Sequence, residues 1–314
     1  MQPVASATAQ PFDPPLGELI ADYAQSLRAD RHSVRTIDWY LAFLHEFRSF
    51  AERPGESASL RQLTTPIVRR WLVMLESGPT PPAPASLAGR VRTLRAFAAW
   101  VQREYDLEQP PLRRLKTPRV PRTLIHSLRS ADVVALLTAA RQGSLGERDA
   151  ALITFVLDTG VRVSELAGMR IGDLDFENAV CRVIGKGSKE RRVPVGRRAR
   201  REVRRYLGQR RHAPATAPLF ASEQGEPLTR WGIQKIVRRA AKRADLQMRC
   251  SPHILRHTFA RAFLTNGGDV FALQRILGHS PASLDITRRY VELLDEDLRE
   301  VHRRASPMDQ WPMR

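Results

Sequence analysis

The sequence predicts a mainly α-helical protein in two domains, with one small β-sheet in the second. Three observations carry that reading. Apolar residues recur at helical spacing through most of the 314 residues. One stretch, Asn178 to Val195, alternates like paired strands about a glycine-bearing turn. A basic, proline-rich segment over residues 109–127 separates two helical regions and reads as a semi-rigid linker. The expected organisation is a flexible tail at 1–14, a first domain at 15–108, the linker, a second domain at 128–295 and a C-terminal tail at 296–314.

The first domain reads as four helices. Leu16, Leu19, Ile20, Tyr23 and Leu27 form one stripe. Ser33 is placed to cap a second helix, with Val34, Ile37, Leu41, Leu44 and Phe47 facing inward. A third helix runs from about Pro66 to Ser77 and buries Val68, Trp71, Leu72 and Leu75, with Pro66 in its first turn. The segment Gly78 to Pro84 cannot continue a helix and forms a loop. The fourth helix presents Leu87, Val91, Leu94, Ala98 and Val101 to the core and leaves Arg90, Arg92 and Arg95 to other faces.

In the second domain, Ser130 is expected to cap a helix over ADVVALLTAA. Ala150 to Leu157 is apolar almost all round, which predicts a buried central helix. Thr159-Gly160 breaks it, and a short helix starts around Ser164. The hairpin follows, with Gly185 and Gly187 holding Lys186 on its tip. GKGSK lacks the spacing of a nucleotide-binding phosphate loop and sits between strands, which excludes that function. Arg197 to Arg211 holds eight arginines and one glutamate, a charge density that a phosphate backbone would relieve. Thr229 opens a further helix with Ile233, Ile236, Val237 and Ala240 inward.

Lys and Arg number 51 against 33 Asp and Glu, a formal charge of +18. That excess favours a polyanionic partner, nucleic acid before an anionic membrane surface. No apolar run approaches the ~20 residues of a membrane helix. The first fifteen residues lack the basic flank and apolar core of a secretory signal. Two cysteines, Cys181 and Cys250, exclude a disulfide framework and a four-thiolate zinc site and fit a reducing cytosol. The protein is therefore expected in the cytoplasm, associated with the nucleoid.

The chemistry concentrates between Ser251 and Tyr290. His253, Arg256 and His257 stand at i, i+3 and i+4 and share one helical face. A second helical run stops at Gly278, His279 follows directly, and a third run carries Tyr290. Two imidazoles, a guanidinium and a phenol can converge there without a carboxylate, which suits a phosphate substrate and a tyrosine that attacks it. His253 and His257 have zinc-ligand spacing, but no glutamate lies between them and Arg256 beside them repels a cation. No metal and no cofactor are expected.

Five ordered motifs carry a resemblance: TGVRVSEL (Thr159 to Leu166), VIGKGSKERRVPV (Val183 to Val195), HILRHTFA (His253 to Ala260), LGHS (Leu277 to Ser280) and TRRY (Thr287 to Tyr290). In order and spacing they resemble the tyrosine recombinase (phage integrase) family, in its Xer-like two-domain form. The resemblance implies an N-terminal four-helix core-binding (SAM-like) domain and a C-terminal mixed α/β catalytic domain of the tyrosine recombinase fold. It implies that Arg162 and Arg256 hold the scissile phosphate, Lys186 protonates the leaving 5′-oxygen, His253 transfers a proton, His279 donates a hydrogen bond and Tyr290 is the nucleophile. Glu165 and His257 are implied supports beside the site, with His257 expected to bond Glu165. Tyr290 follows His279 by eleven residues, a wider spacing than is usual in the family, with Ser280-Pro281-Ala282 taking up the extra length.

The activity implied is site-specific DNA recombination through a 3′-phosphotyrosyl intermediate, serving integration or excision of a mobile element or chromosome-dimer resolution. Its partner would be double-stranded DNA, bound by a homotetramer or by this chain paired with a second recombinase. The tail helix, with Val291, Leu294, Leu298 and Val301 on one side, would dock on a neighbouring protomer. A catalytically silent or partner-dependent DNA-binding accessory protein is the alternative. That every catalytic position is filled argues against silence.

Overall fold

Apolar stripes at helical spacing need facing partners, and the first four helices supply them to one another. In the computed structural model these are α1 (Leu16–Ala29), α2 (Val34–Ala51), α3 (Thr65–Glu76) and α4 (Pro84–Glu104). The structure describes residues 12–52, 55–121, 126–185, 189–278, 302 and 306. The chain divides into two compact units, Met1–Thr123 and Leu124–Arg314.

The core of the first unit joins Leu16, Leu19 and Leu44 to Phe47, Trp71, Leu94 and Phe97. Phe47 meets Trp71 edge-on, with ring centroids 5.4 Å apart. Ser33 accepts from the Thr36 amide at 3.2 Å, as a helix cap should. Val34 is 74% exposed, contrary to the expectation that it faces inward. It is the first residue of α2, and the buried stripe starts one turn later at Ile37. Arg90 is neither solvated nor open to a ligand: it bonds Glu46 at 3.0 and 3.2 Å and lies 4.5 Å over the Phe43 ring. At the chain start, Asp13 is tied to Ser59 and to the Arg61 amide, each at 2.9 Å, so the end of the expected tail is fastened. The linker is likewise more than a tether, because Leu112 and Leu115 are buried in this core.

The second unit is built from α5 (Ser130–Arg141), α6 (Gly146–Thr159), α7 (Val163–Gly168), β1 (Leu174–Asp175), β2 (Val180–Ile184), β3 (Glu190–Pro194), α8 (Arg197–Gly208), α9 (Arg230–Arg243), α10 (Pro252–Thr265) and α11 (Val270–Leu277). The buried helix is α6, which packs against α5, α8, α9 and α10. Ala150 to Phe155, five of its six residues apolar, are all buried along it. Ser130 does not cap α5. The cap position is Arg129, whose amide donates to Asp132 at 3.0 Å. As the third helical residue, Asp132 accepts the N–H of the cap residue itself, which satisfies that donor without a cap hydroxyl.

The sheet is antiparallel in the order β1-β2-β3, so the expected hairpin gains a third, two-residue strand. Cys181 pairs with Val193 and Ile184 with Glu190. Cys181, Val183 and Val193 point into the core while Arg182 and Ile184 point out, the two-residue alternation of a half-buried sheet. Burial pushes the Cys181 thiol up to about 12, so it behaves as an apolar core residue. On α8, Ala199, Val203 and Tyr206 pack inward and the buried Glu202 bonds Arg141, leaving Arg197, Arg198 and Arg201 exposed. The expected helix after Tyr290 lies outside the described residues.

Because Phe155 is fully buried, Phe155→Ala should lower unfolding stability by about 3–5 kcal/mol. Urea denaturation of the two proteins side by side measures it. A loss no larger than that of an exposed-site control would mean α6 is not the centre of this core.

Candidate active site

The site grows from the end of the buried helix. Gly160 terminates α6 with φ at 61°, and a Cβ there would collide with Phe259 and Leu277. Only glycine satisfies both the left-handed backbone and the close approach. The turn delivers Arg162 to the cap position of α7, and Glu165 stands at the third residue of that helix. Glu165 accepts the Arg162 amide at 2.8 Å and the Arg162 guanidinium at 2.9 Å.

Glu165 has a second cationic partner. Arg191 on β3 forks onto its two carboxylate oxygens at 2.9 and 2.8 Å. The Glu165 side chain is 4% exposed. Burial pushes its carboxyl up, but the Arg191 bonds, the Arg162 amide and the Arg191 charge outweigh burial and hold it below the ordinary carboxylate value.

The C-terminus of α11 completes the cluster. Its last carbonyls have no partner within the helix and form the negative end of its dipole. Three successive carbonyls take three arginines. Arg191 donates to Ile276 at 2.8 Å, Arg256 to Leu277 at 2.8 Å and Arg162 to Gly278 at 3.2 Å. Arg256 also donates to the Gly160 carbonyl at 2.6 Å, which ties α10 to the end of α6. Gly278 is left-handed, with φ at 62°, and an added Cβ would lie 3.0 Å from the Arg191 guanidinium.

His253 and His257 sit one turn apart on α10, with Nε2 atoms 2.7 Å apart and rings edge to face. A bond between two ring nitrogens needs one protonated and one bare nitrogen. Burial first, then the Arg256 charge, lowers the His253 pKa below the ordinary 6.5, so the neutral ring is favoured. The expected bond from His257 to Glu165 is replaced by this pairing, because Arg162 and Arg191 occupy the Glu165 carboxylate. Among the described residues, no group of three His, Cys, Asp or Glu side chains is arranged to hold a metal ion.

Of the sequence-predicted site residues, Arg162, Glu165, His253, Arg256 and His257 come together in this unit. Lys186, His279 and Tyr290 lie outside the described residues. Their neighbours border the cluster: a Cβ at Gly185 would lie 3.6 Å from Arg191 and 3.7 Å from Glu165, and Gly278 is held as described above. Glu165, expected as a support beside the site, bridges Arg162 and Arg191. Arg191 was missed by motif reading. Strand alternation could have found it, since Arg191 shares the inward phase of Val193 and Val195, where a charge requires a partner.

Residues 126–297 match the phage integrase family. The chain is similar to the tyrosine recombinase XerC of Pelobacter propionicus, 34% identical over 301 residues that span 95% of this chain and 98% of the relative. Among solved structures it is similar to the XerA recombinase crystal structure, at 28% identity and a TM-score of 0.52, covering 93% of this chain and 99% of that one. It shares its fold with a lambda integrase tetramer bound to a Holliday junction, at 19% identity and a TM-score of 0.67, covering 86% and 78%.

The lowered His253 pKa fixes the sign of a pH effect. Between the folded value and 6.5, the unfolded chain binds the extra proton. Stability is therefore full above that window and is lost as pH falls through it. Urea midpoints at about pH 7.5 and about pH 5.5 should fall further for wild type than for His253→Gln. Equal falls in both proteins would refute the assignment.

Proposed function

The chain belongs to the phage integrase family as a Xer-like tyrosine recombinase, and from that premise we propose that it cuts and rejoins DNA at a specific site through Tyr290. The observation that carries the reading is the meeting of Arg162 and Arg256 at consecutive carbonyls of one helix end, Gly278 and Leu277. Two permanent cations anchored side by side, with Arg162 39% exposed, suit a scissile phosphate. A guanidinium has five N–H donors, so Arg162, oriented by Glu165 and Gly278, still has donors for phosphate oxygens.

The steps follow from the charge that develops. The Tyr290 oxygen attacks phosphorus while its proton passes to His253, whose neutral form is favoured. A free phenol has a pKa of roughly 10, so attack at neutral pH needs this base and the surrounding cations. Arg162 and Arg256 stabilise the negative charge growing on the non-bridging oxygens, and His279 adds a hydrogen bond. The bond from phosphorus to the 5′-oxygen breaks, its electron pair leaves with that oxygen, and Lys186 supplies the proton. The DNA 3′-phosphate is then esterified to Tyr290. A 5′-hydroxyl from the partner duplex reverses the steps. The phosphotyrosyl ester conserves the energy of the broken bond, so rejoining needs no nucleotide cofactor.

Exchange between two duplexes needs two sites with two protomers each. The working assembly is therefore a tetramer on DNA, of this chain alone or with a second recombinase, and it acts at the nucleoid in the cytoplasm. The four-helix unit and the catalytic unit each bind the duplex, and the tail after Tyr290 docks on a neighbouring protomer. The +18 charge favours association with the phosphate backbone. The biological outcome is integration or excision of a mobile element or resolution of chromosome dimers.

Covalent capture tests the reading. The protein is mixed with fragments of its own genome, denatured and recovered, and any attached DNA is sequenced. Wild type should retain DNA from a defined site and Tyr290→Phe none. DNA bound in a salt-dependent way by wild type but never retained after denaturation would overturn it.

A further inference from the structure

Arg191 contacts three things at once: both oxygens of Glu165, the Ile276 carbonyl and the face of Gly278. Its Nε donates to Ile276 at 2.8 Å, and its two terminal nitrogens reach Glu165 at 2.9 and 2.8 Å. The contact with Gly278 is close enough that an added Cβ would lie 3.0 Å from three guanidinium atoms. Arg191 comes from β3, Glu165 from α7 and Ile276 from α11. One side chain thus ties together three elements distant in sequence. Its own side chain is 15% exposed, against 39% for Arg162.

We infer that Arg191 is a positioning residue for the phosphate-binding site: it fixes Glu165, and through Glu165 it fixes Arg162, while it packs against the left-handed Gly278. The inference rests on the recombinase reading and assigns Arg191 no contact with DNA. Three features support it. Glu165 Oε1 accepts from Arg162 and Arg191 alike, so the two guanidiniums are oriented by one shared atom. The planar fork is used completely, two nitrogens on a carboxylate and the third on a carbonyl, which a lysine cannot reproduce. Finally, Arg191 and Arg162 bond carbonyls two residues apart on the same helix end, so a shift at one is passed to the other.

The alternative is an ordinary structural ion pair whose loss weakens the fold and leaves the chemistry of each folded molecule intact. The phosphate's charge separates the two. Arg162 acts by stabilising negative charge on the non-bridging oxygens. A methylphosphonate in place of the scissile phosphate carries no such charge in the ground state. A defect transmitted through Arg162 must shrink on that substrate, whereas a loss of folded protein affects both substrates equally.

The test uses the full chain and a nicked duplex carrying the site recovered by covalent capture, with phosphate or methylphosphonate at the cleaved position. Single-turnover cleavage is measured for wild type, Arg191→Ala and Arg191→Lys, normalised to the folded fraction from thermal melting. Affinity is measured by fluorescence anisotropy in the Tyr290→Phe background. On phosphate, Arg191→Ala should cut about 10²-fold more slowly, the penalty of a misplacement near 1 Å. Its affinity should match wild type, Arg191→Lys should recover only a minor part of the rate, and the Arg191→Ala deficit should narrow on methylphosphonate. Should Arg191→Ala fail to fold, the Arg191→Lys rates on the two substrates decide by the same narrowing. Equal cleavage by variant and wild type, or equal deficits on both substrates, would overturn the inference. Absence of cleavage by wild type would overturn the recombinase reading itself.

Discussion

The second unit depends on how the C-terminus of one short helix is satisfied. The end of α11 exposes carbonyls that no residue of the helix can bond, at the negative pole of its dipole. Arg191, Arg256 and Arg162 take the carbonyls of Ile276, Leu277 and Gly278 in turn. They arrive from β3, from α10 and from the turn between α6 and α7. A single helix end therefore holds the sheet and two helical segments in register. It also draws three cations together at the point where His279 follows.

Three guanidiniums this close repel one another, and two features offset that cost. The carbonyl dipoles supply partial negative charge, and Glu165 supplies a full one shared between Arg162 and Arg191. Among the described residues, Glu165 is the carboxylate that two of these arginines share. The same field acts on the His253 imidazole: the Arg256 charge reinforces burial in lowering its pKa. The arginine cluster and the neutral His253 ring thus belong to one electrostatic arrangement.

Much of this was legible in the chain. The apolar run of α6, the break at Gly160, the hairpin and the i, i+3, i+4 spacing on α10 each depend on local periodicity or backbone sterics, which a sequence states directly. The misses have a common cause. Val34 and Ser130 sit at helix starts, where a one-residue shift changes which side chain is buried or caps. Arg90 looked like a surface charge because Glu46 lies on another helix. Leu112 and Leu115 looked like linker residues because the core that receives them is assembled from four separate helices.

By itself the sequence determined which residues can do chemistry and which family order they follow, because motif spacing and helical phase are properties of the chain. It could not determine which charges neutralise each other. That His257 pairs with His253 rather than Glu165, and that Glu165 bridges Arg162 and Arg191, was decided by tertiary structure. The reason is physical: hydrogen bonds of 2.8 to 2.9 Å join Glu165 to Arg191, a residue 26 positions away. Only packing of β3 against α7 and α11 brings a carboxylate, two guanidiniums and a helix end within that range.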